Sequence, residues 1–228
     1  MKYYTYKLDL MILNVLAVVM IVFLTVVTYA ITGSLSFITN LNVFSFIMVI
    51  LCLFLHEILH GFGFLCFRKA KAKNIVFGME LEKGIFYCMC KEAISKANVL
   101  VALLVPFVLV GVITYILGIV FSNDLLIFLS IFNISGSVGD LLMFVDIWMM
   151  PDDVMYLDLD DTTSFTILSR DNLTKKKFFS IILSKHGKYN DNIKAKDYTK
   201  IKVSKASWYF LIFFIIILLV VVVKWLGN

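Results

Sequence analysis

The chain has 228 residues, 61% hydrophobic and only 16% charged, with a formal net charge of +5. Soluble domains are about half apolar and about a quarter charged, so this balance excludes an ordinary soluble enzyme and points to an integral membrane protein. The lysines and arginines cluster between apolar runs, with no basic helix and no aromatic stacking platform, which argues against a nucleic-acid partner and for contact with an anionic lipid bilayer.

Five apolar stretches are long enough to cross a hydrocarbon core as helices: residues 10–31, 43–67, 99–121, 125–150 and 207–223. None alternates apolar and polar residues as a barrel strand does. The sequence therefore predicts an all-α membrane protein, read as a single integral membrane domain over 1–228, with about five transmembrane helices. The first stretch is too long for a signal-peptide core and has no obvious small-residue cleavage site, so it is expected to be retained. Between the second and third spans, "NIVFGMEL" and "IFYCMC" flank Glu82-Lys83-Gly84, which predicts a β-hairpin over 74–90. The third span contains Pro106, a kink signal. After the fourth, residues 151–206 read as a short mixed element with small strands and a basic surface segment. Asp158, Asp160 and Asp161 lack the glycine and glutamate of a calcium loop and read as a solvated turn.

Lysine and arginine set the expected orientation. The segment after the second span is RKAKAK and the 151–206 loop holds many lysines, whereas 32–42 and 122–124 hold none. The N-terminus is then cytoplasmic, the C-terminus outside, and the hairpin and mixed element cytoplasmic. That compartment is reducing, so Cys88 and Cys90 read as small apolar side chains rather than as a disulfide or a metal pair.

The second span carries the chemistry. His56-Glu57-Ile58-Leu59-His60 is an HExxH motif. Residues four apart share a helix face, so both imidazoles can reach one ion, and the adjacent glutamate can act as a general base. Lipid makes three ionisable groups in five positions costly unless they find partners. A zinc site satisfies them; a metal-free polar contact within a helix bundle is the alternative. Zinc hydrolases add a third protein ligand. In the fourth span, Asn133, Gly136, Ser137 and Asp140 fall on one face if the helix is continuous. His56 lies 13 residues into its span and Asp140 15 into its own, about 20 and 22 Å at the helical rise. Both run outside to inside, so the two groups are expected at similar depth. Asp140 is the preferred third ligand, with Glu80, Glu82, Asp146 and Asp152 as competitors. Asn133 is expected either to bind substrate backbone or the reaction's oxyanion, or to hydrogen-bond a neighbouring helix.

HEILHG in an apolar span, a hairpin, a proline-containing span and NISGSVGD in a later span resemble a family of bacterial zincin peptidases, largely known as a domain of unknown function. More distantly they resemble the site-2 class of intramembrane metalloproteases. There the aspartate usually follows proline and precedes glycine; here Gly139 and Leu141 flank it. The resemblance covers about 43–151. It implies Zn2+ held by His56, His60 and Asp140, with Glu57 as catalytic base. The expected function is a zinc-dependent, membrane-embedded peptidase (an HExxH metalloprotease). It would hydrolyse peptide or membrane-protein substrates near the cytoplasmic side. The rival readings are a catalytically silent membrane protein that binds a partner and a metal-ion transporter. The sequence carries no internal repeat of the transporter kind and no signal for oligomeric state.

Overall fold

A computed structural model of the chain describes residues 2–8, 10–66, 71–80, 85–157, 164–170 and 182–188. The expected fifth span, the Asp158–Asp161 turn and the Glu82-Lys83-Gly84 turn lie outside the described residues. So does the basic segment 174–205 apart from one strand.

The helices are α1 (Leu10–Thr32), the short α2 (Ser36–Thr39), α3 (Val43–Leu65), α4 (Lys96–Pro106), α5 (Thr114–Val120), α6 (Asp124–Gly136) and α7 (Val138–Trp148). A π-helical segment, Phe107–Ile113, joins α4 to α5, so Lys96–Val120 forms one apolar run of 25 residues. Among the described residues, three helical runs are long and apolar enough to cross a membrane, and α6 with α7 make a fourth if taken together.

The ends of these helices follow local chemistry. Asn42 and Ser45 form a reciprocal capping box at the start of α3, with Ser45 N–H donating to Asn42 Oδ1 at 3.0 Å. Asn123 caps α6 through Leu126 N–H at 3.0 Å. Gly33 ends α1 at φ +68°, a left-handed position that glycine adopts without strain, and its N–H closes on Tyr29 O at 2.8 Å.

The fourth span is not one straight helix, as the sequence predicts, but a pair bent by 46° at Ser137. Ser135 and Ser137 turn their hydroxyls back onto the carbonyls of Ile131 and Asn133, at 2.7 and 2.8 Å. Such back-bonding competes with the helical ladder and bends it. Ser137 itself leaves helical geometry at ψ 3°. Asn133 and Asp140 therefore sit on two different helices rather than on one face of a continuous helix.

The hairpin is present as β2 (Ile75–Glu80) and β3 (Ile85–Cys90), paired antiparallel with Phe77 opposite Cys88. A second sheet corrects the reading of the termini. It consists of β1 (Lys2–Lys7), β4 (Ile94–Ser95), β5 (Met155–Leu157), β6 (Ser164–Ser169) and β7 (Ile182–Lys188), in the order β4-β5-β6-β1-β7. Its register sets Tyr4 opposite Ile167 and Lys185. The N-terminal residues, assigned no element from sequence, supply its inner strand, and part of the basic segment supplies an edge.

The principal core joins this sheet to the helix bundle. Tyr4, Leu8, Tyr156 and Ile167 pack with Phe64 of α3, Ala102 and Leu103 of α4, and Ile147 of α7. Cys90 is wholly buried in the same cluster. α3 packs against α4, α6 and β3, whereas α1 contributes few buried residues and lies at the periphery.

Candidate metal centre

α3 buries a stripe at helical spacing, Ser45, Val49, His56, His60 and Phe64, and leaves Leu51, Leu55, Ile58 and Phe62 exposed. His56 and His60 are each only 8% exposed. Their rings meet edge to face, with centroids 4.7 Å apart and Nε2 atoms 3.0 Å apart. Asp140, in the first turn of α7, brings Oδ2 to 3.2 Å from His56 Nε2 and 3.6 Å from His60 Nε2. A carboxylate in a first helical turn also suits the positive end of the helix dipole.

The two outer ring nitrogens are each held by a partner on a neighbouring helix. His60 Nδ1 donates to the Ala102 carbonyl at 2.8 Å. His56 Nδ1 lies 2.8 Å from Asn133 Oδ1, and the other end of that amide donates to the Pro106 carbonyl at 3.2 Å. Since Pro106 O can only accept, Asn133 turns its nitrogen toward it and its oxygen toward His56. Both imidazoles therefore carry their proton on Nδ1. Each Nε2 is left with a lone pair directed at the other and at a carboxylate oxygen.

Three acceptors facing one another at 3.0, 3.2 and 3.6 Å repel unless a cation lies between them. Tetrahedral bonds of about 2.0–2.1 Å separate their ligand atoms by about 3.3–3.4 Å. The donor set, two neutral imidazoles and a carboxylate, and its spacing fit zinc.

Glu57 is half-buried beside this triangle. One ligand atom from each of His56, Glu57 and His60 lies within 4.8 Å of the others. The Glu57 carboxylate accepts the backbone N–H of Cys88, so it faces β3 of the hairpin. The hairpin sits close because Gly61 has no side chain: a Cβ there would be 2.7 Å from the Phe77 ring and 3.3 Å from Cys88 Sγ. Phe54 and Phe86 add an edge-to-face contact at 4.8 Å.

The structure thus brings His56, Glu57, His60, Asn133 and Asp140 into one cluster. Asn133 has both ends of its amide engaged, its oxygen with His56 and its nitrogen with the Pro106 carbonyl. Among the competing carboxylates, Asp152 is directed to Lys96 Nζ at 2.8 Å, and Asp146 is buried further along α7. The Glu80 side chain and Glu82 lie outside the described residues. Sequence reasoning missed the Ala102 and Pro106 carbonyls, because a backbone acceptor leaves no trace in residue type.

An HExxH pair on a buried helix, supported by hydrogen bonds to its outer nitrogens and faced by a carboxylate from another helix, defines the zincin class of metal site. The model of a family described as "Putative zincin peptidase" matches residues 49–155. That segment carries the whole cluster. No curated protein and no solved structure gives a match to the chain.

Proposed function

We propose that the protein is a zinc-dependent peptidase whose site lies within the membrane, toward the cytoplasmic side, with the N-terminus cytoplasmic and the C-terminus outside. The single observation that carries the reading is the convergence of His56 Nε2, His60 Nε2 and Asp140 Oδ2 within 3.6 Å of one another. These three would hold the ion. Zinc, when bound, lowers the pKa of a water and polarises a substrate carbonyl.

The chain's own residues do the rest. Glu57 takes the proton of the attacking water and returns it to the leaving amine. Asn133 and the Ala102 carbonyl hold the two imidazoles in the tautomer that leaves Nε2 bare. The first turn of α7 presents the Asp140 carboxylate. The hairpin offers a place for an extended substrate segment, because β3 already meets Glu57 through Cys88 N–H and main-chain pairing tolerates many sequences. A helical substrate must first unwind, since its carbonyls are hydrogen-bonded.

The test uses the purified full chain in detergent, with zinc content and cleavage of fluorescein-labelled casein measured side by side. The reading predicts about one zinc per chain and casein cleavage that stops in Glu57→Gln while zinc stays bound. Stoichiometric zinc without cleavage by the wild type would favour a silent partner-binding protein. Zinc flux into proteoliposomes would favour a transporter.

A further inference from the structure

Pro106 lies in the run from α4 to α5, and its position relative to the two histidines is specific. In a regular α-helix the carbonyl of residue 102 accepts the N–H of residue 106. Proline has no N–H, and its ring crowds the carbonyl four residues back. That carbonyl is Ala102 O, the acceptor of His60 Nδ1 at 2.8 Å. The next N–H along, that of Phe107, donates to Leu104 O, so it does not take the place of the missing donor.

Pro106 also opens the π-helical segment Phe107–Ile113. Insertions of this kind recur at functional sites. Here the Pro106 carbonyl receives Asn133 Nδ2 at 3.2 Å, and Asn133 in turn orients His56. Gly111, one wide turn on, lets α6 come close: a Cβ there would be 2.8 Å from Ile134 and 3.3 Å from Asn133 Nδ2. One proline thus stands behind both imidazoles by two separate routes.

We infer that Pro106 is a positioning residue for the metal centre: its missing N–H reserves the Ala102 carbonyl for His60, and its own carbonyl fixes the Asn133 amide that orients His56. The inference rests on the metal-site reading above. It predicts a separation between fold and site. Pro106→Ala supplies an N–H that can close on Ala102 O and relax the π segment toward a regular helix. The metal-free variant should melt at the same temperature as the wild type or higher, because proline is the poorer residue inside a helix. Its zinc affinity should nevertheless fall about tenfold or more, the usual effect of losing an outer partner of a ligating histidine. A merely structural proline would show the reverse pattern, with a lower melting temperature and unchanged affinity.

The experiment compares full-length wild type and Pro106→Ala in detergent. Zinc affinity is read by competition with a chelating dye, and melting is read on metal-free protein. Weaker zinc binding with stability retained supports the inference. Equal zinc affinity in the two proteins overturns it while leaving the metal site standing. Absence of zinc binding by the wild type overturns both. If Pro106→Ala does not fold, the same zinc competition is run on Pro106→Leu, which also restores the N–H at this position. Weaker zinc binding by that variant supports the inference, and wild-type affinity overturns it.

Discussion

Gly63 provides a direct way to disturb the site without touching a proposed ligand. A methyl group at Gly63 would lie 2.4 Å from Ala102 Cα, 3.0 Å from its N and 3.1 Å from its Cβ. Carbon atoms in contact sit about 3.5–4.0 Å apart. Gly63→Ala therefore requires α3 and α4 to part locally by about 1 Å or more, against backbone that cannot rotate out of the way. The His60–Ala102 hydrogen bond, now 2.8 Å, would stretch to roughly 4 Å and be lost. Overpacking of this kind costs about 1–3 kcal/mol, and a lost outer-shell bond lowers metal affinity about 10–100-fold. Gly136→Ala is the control, because nothing lies within 4 Å of a Cβ there. Thermal melting in detergent and chelator competition for zinc measure the two effects. Gly63→Ala should melt lower and release zinc more readily, while Gly136→Ala matches the wild type or gains slightly. A Gly63→Ala protein with wild-type melting and zinc affinity would refute the claim that close approach of α3 to α4 holds His60 in place.

Other outcomes follow from the same geometry. Glu57→Gln should lower casein cleavage by about 10²–10⁴-fold, the range for a general base, without loss of zinc. His56→Ala and Asp140→Ala should both lose zinc on dialysis against a chelator. Full retention in Asp140→Ala alone would move the third position to Glu57, the other carboxylate near the histidines. Thr28 is fully buried and its hydroxyl lies 2.7 Å from Tyr115 OH, joining α1 to α5. Thr28→Val should cost about 0.6 kcal/mol, typical of a hydrogen bond between membrane helices. Melting curves should show this, with zinc affinity unchanged because the pair takes no part in the metal cluster.

The features legible in the sequence were those with a local period or a high local cost. HExxH is such a feature: helical spacing alone puts His56 and His60 on one face, and their placement in an apolar run demands a partner. The hairpin was legible from two β-prone runs around a turn. The bend at Ser137 was not, because it arises when serine hydroxyls compete for helix carbonyls, and the apolar pattern continues through it. The N-terminal strand was also missed. KYYTYK finds its place only by pairing with residues more than 150 positions away, with Tyr4 opposite Ile167. Pro106 was legible as a kink, but the use of the carbonyls at 102 and 106 depends on where α3 and α6 pack, which no local pattern encodes.

Zinc K-edge X-ray absorption on the purified full-length protein tests the central claim most directly. The account predicts a first shell of nitrogen and oxygen at about 2.0–2.1 Å, with the outer-ring scattering of two imidazoles. A first shell of sulfur at about 2.3 Å would contradict it by assigning the ion to cysteine thiolates, as would protein that carries no zinc.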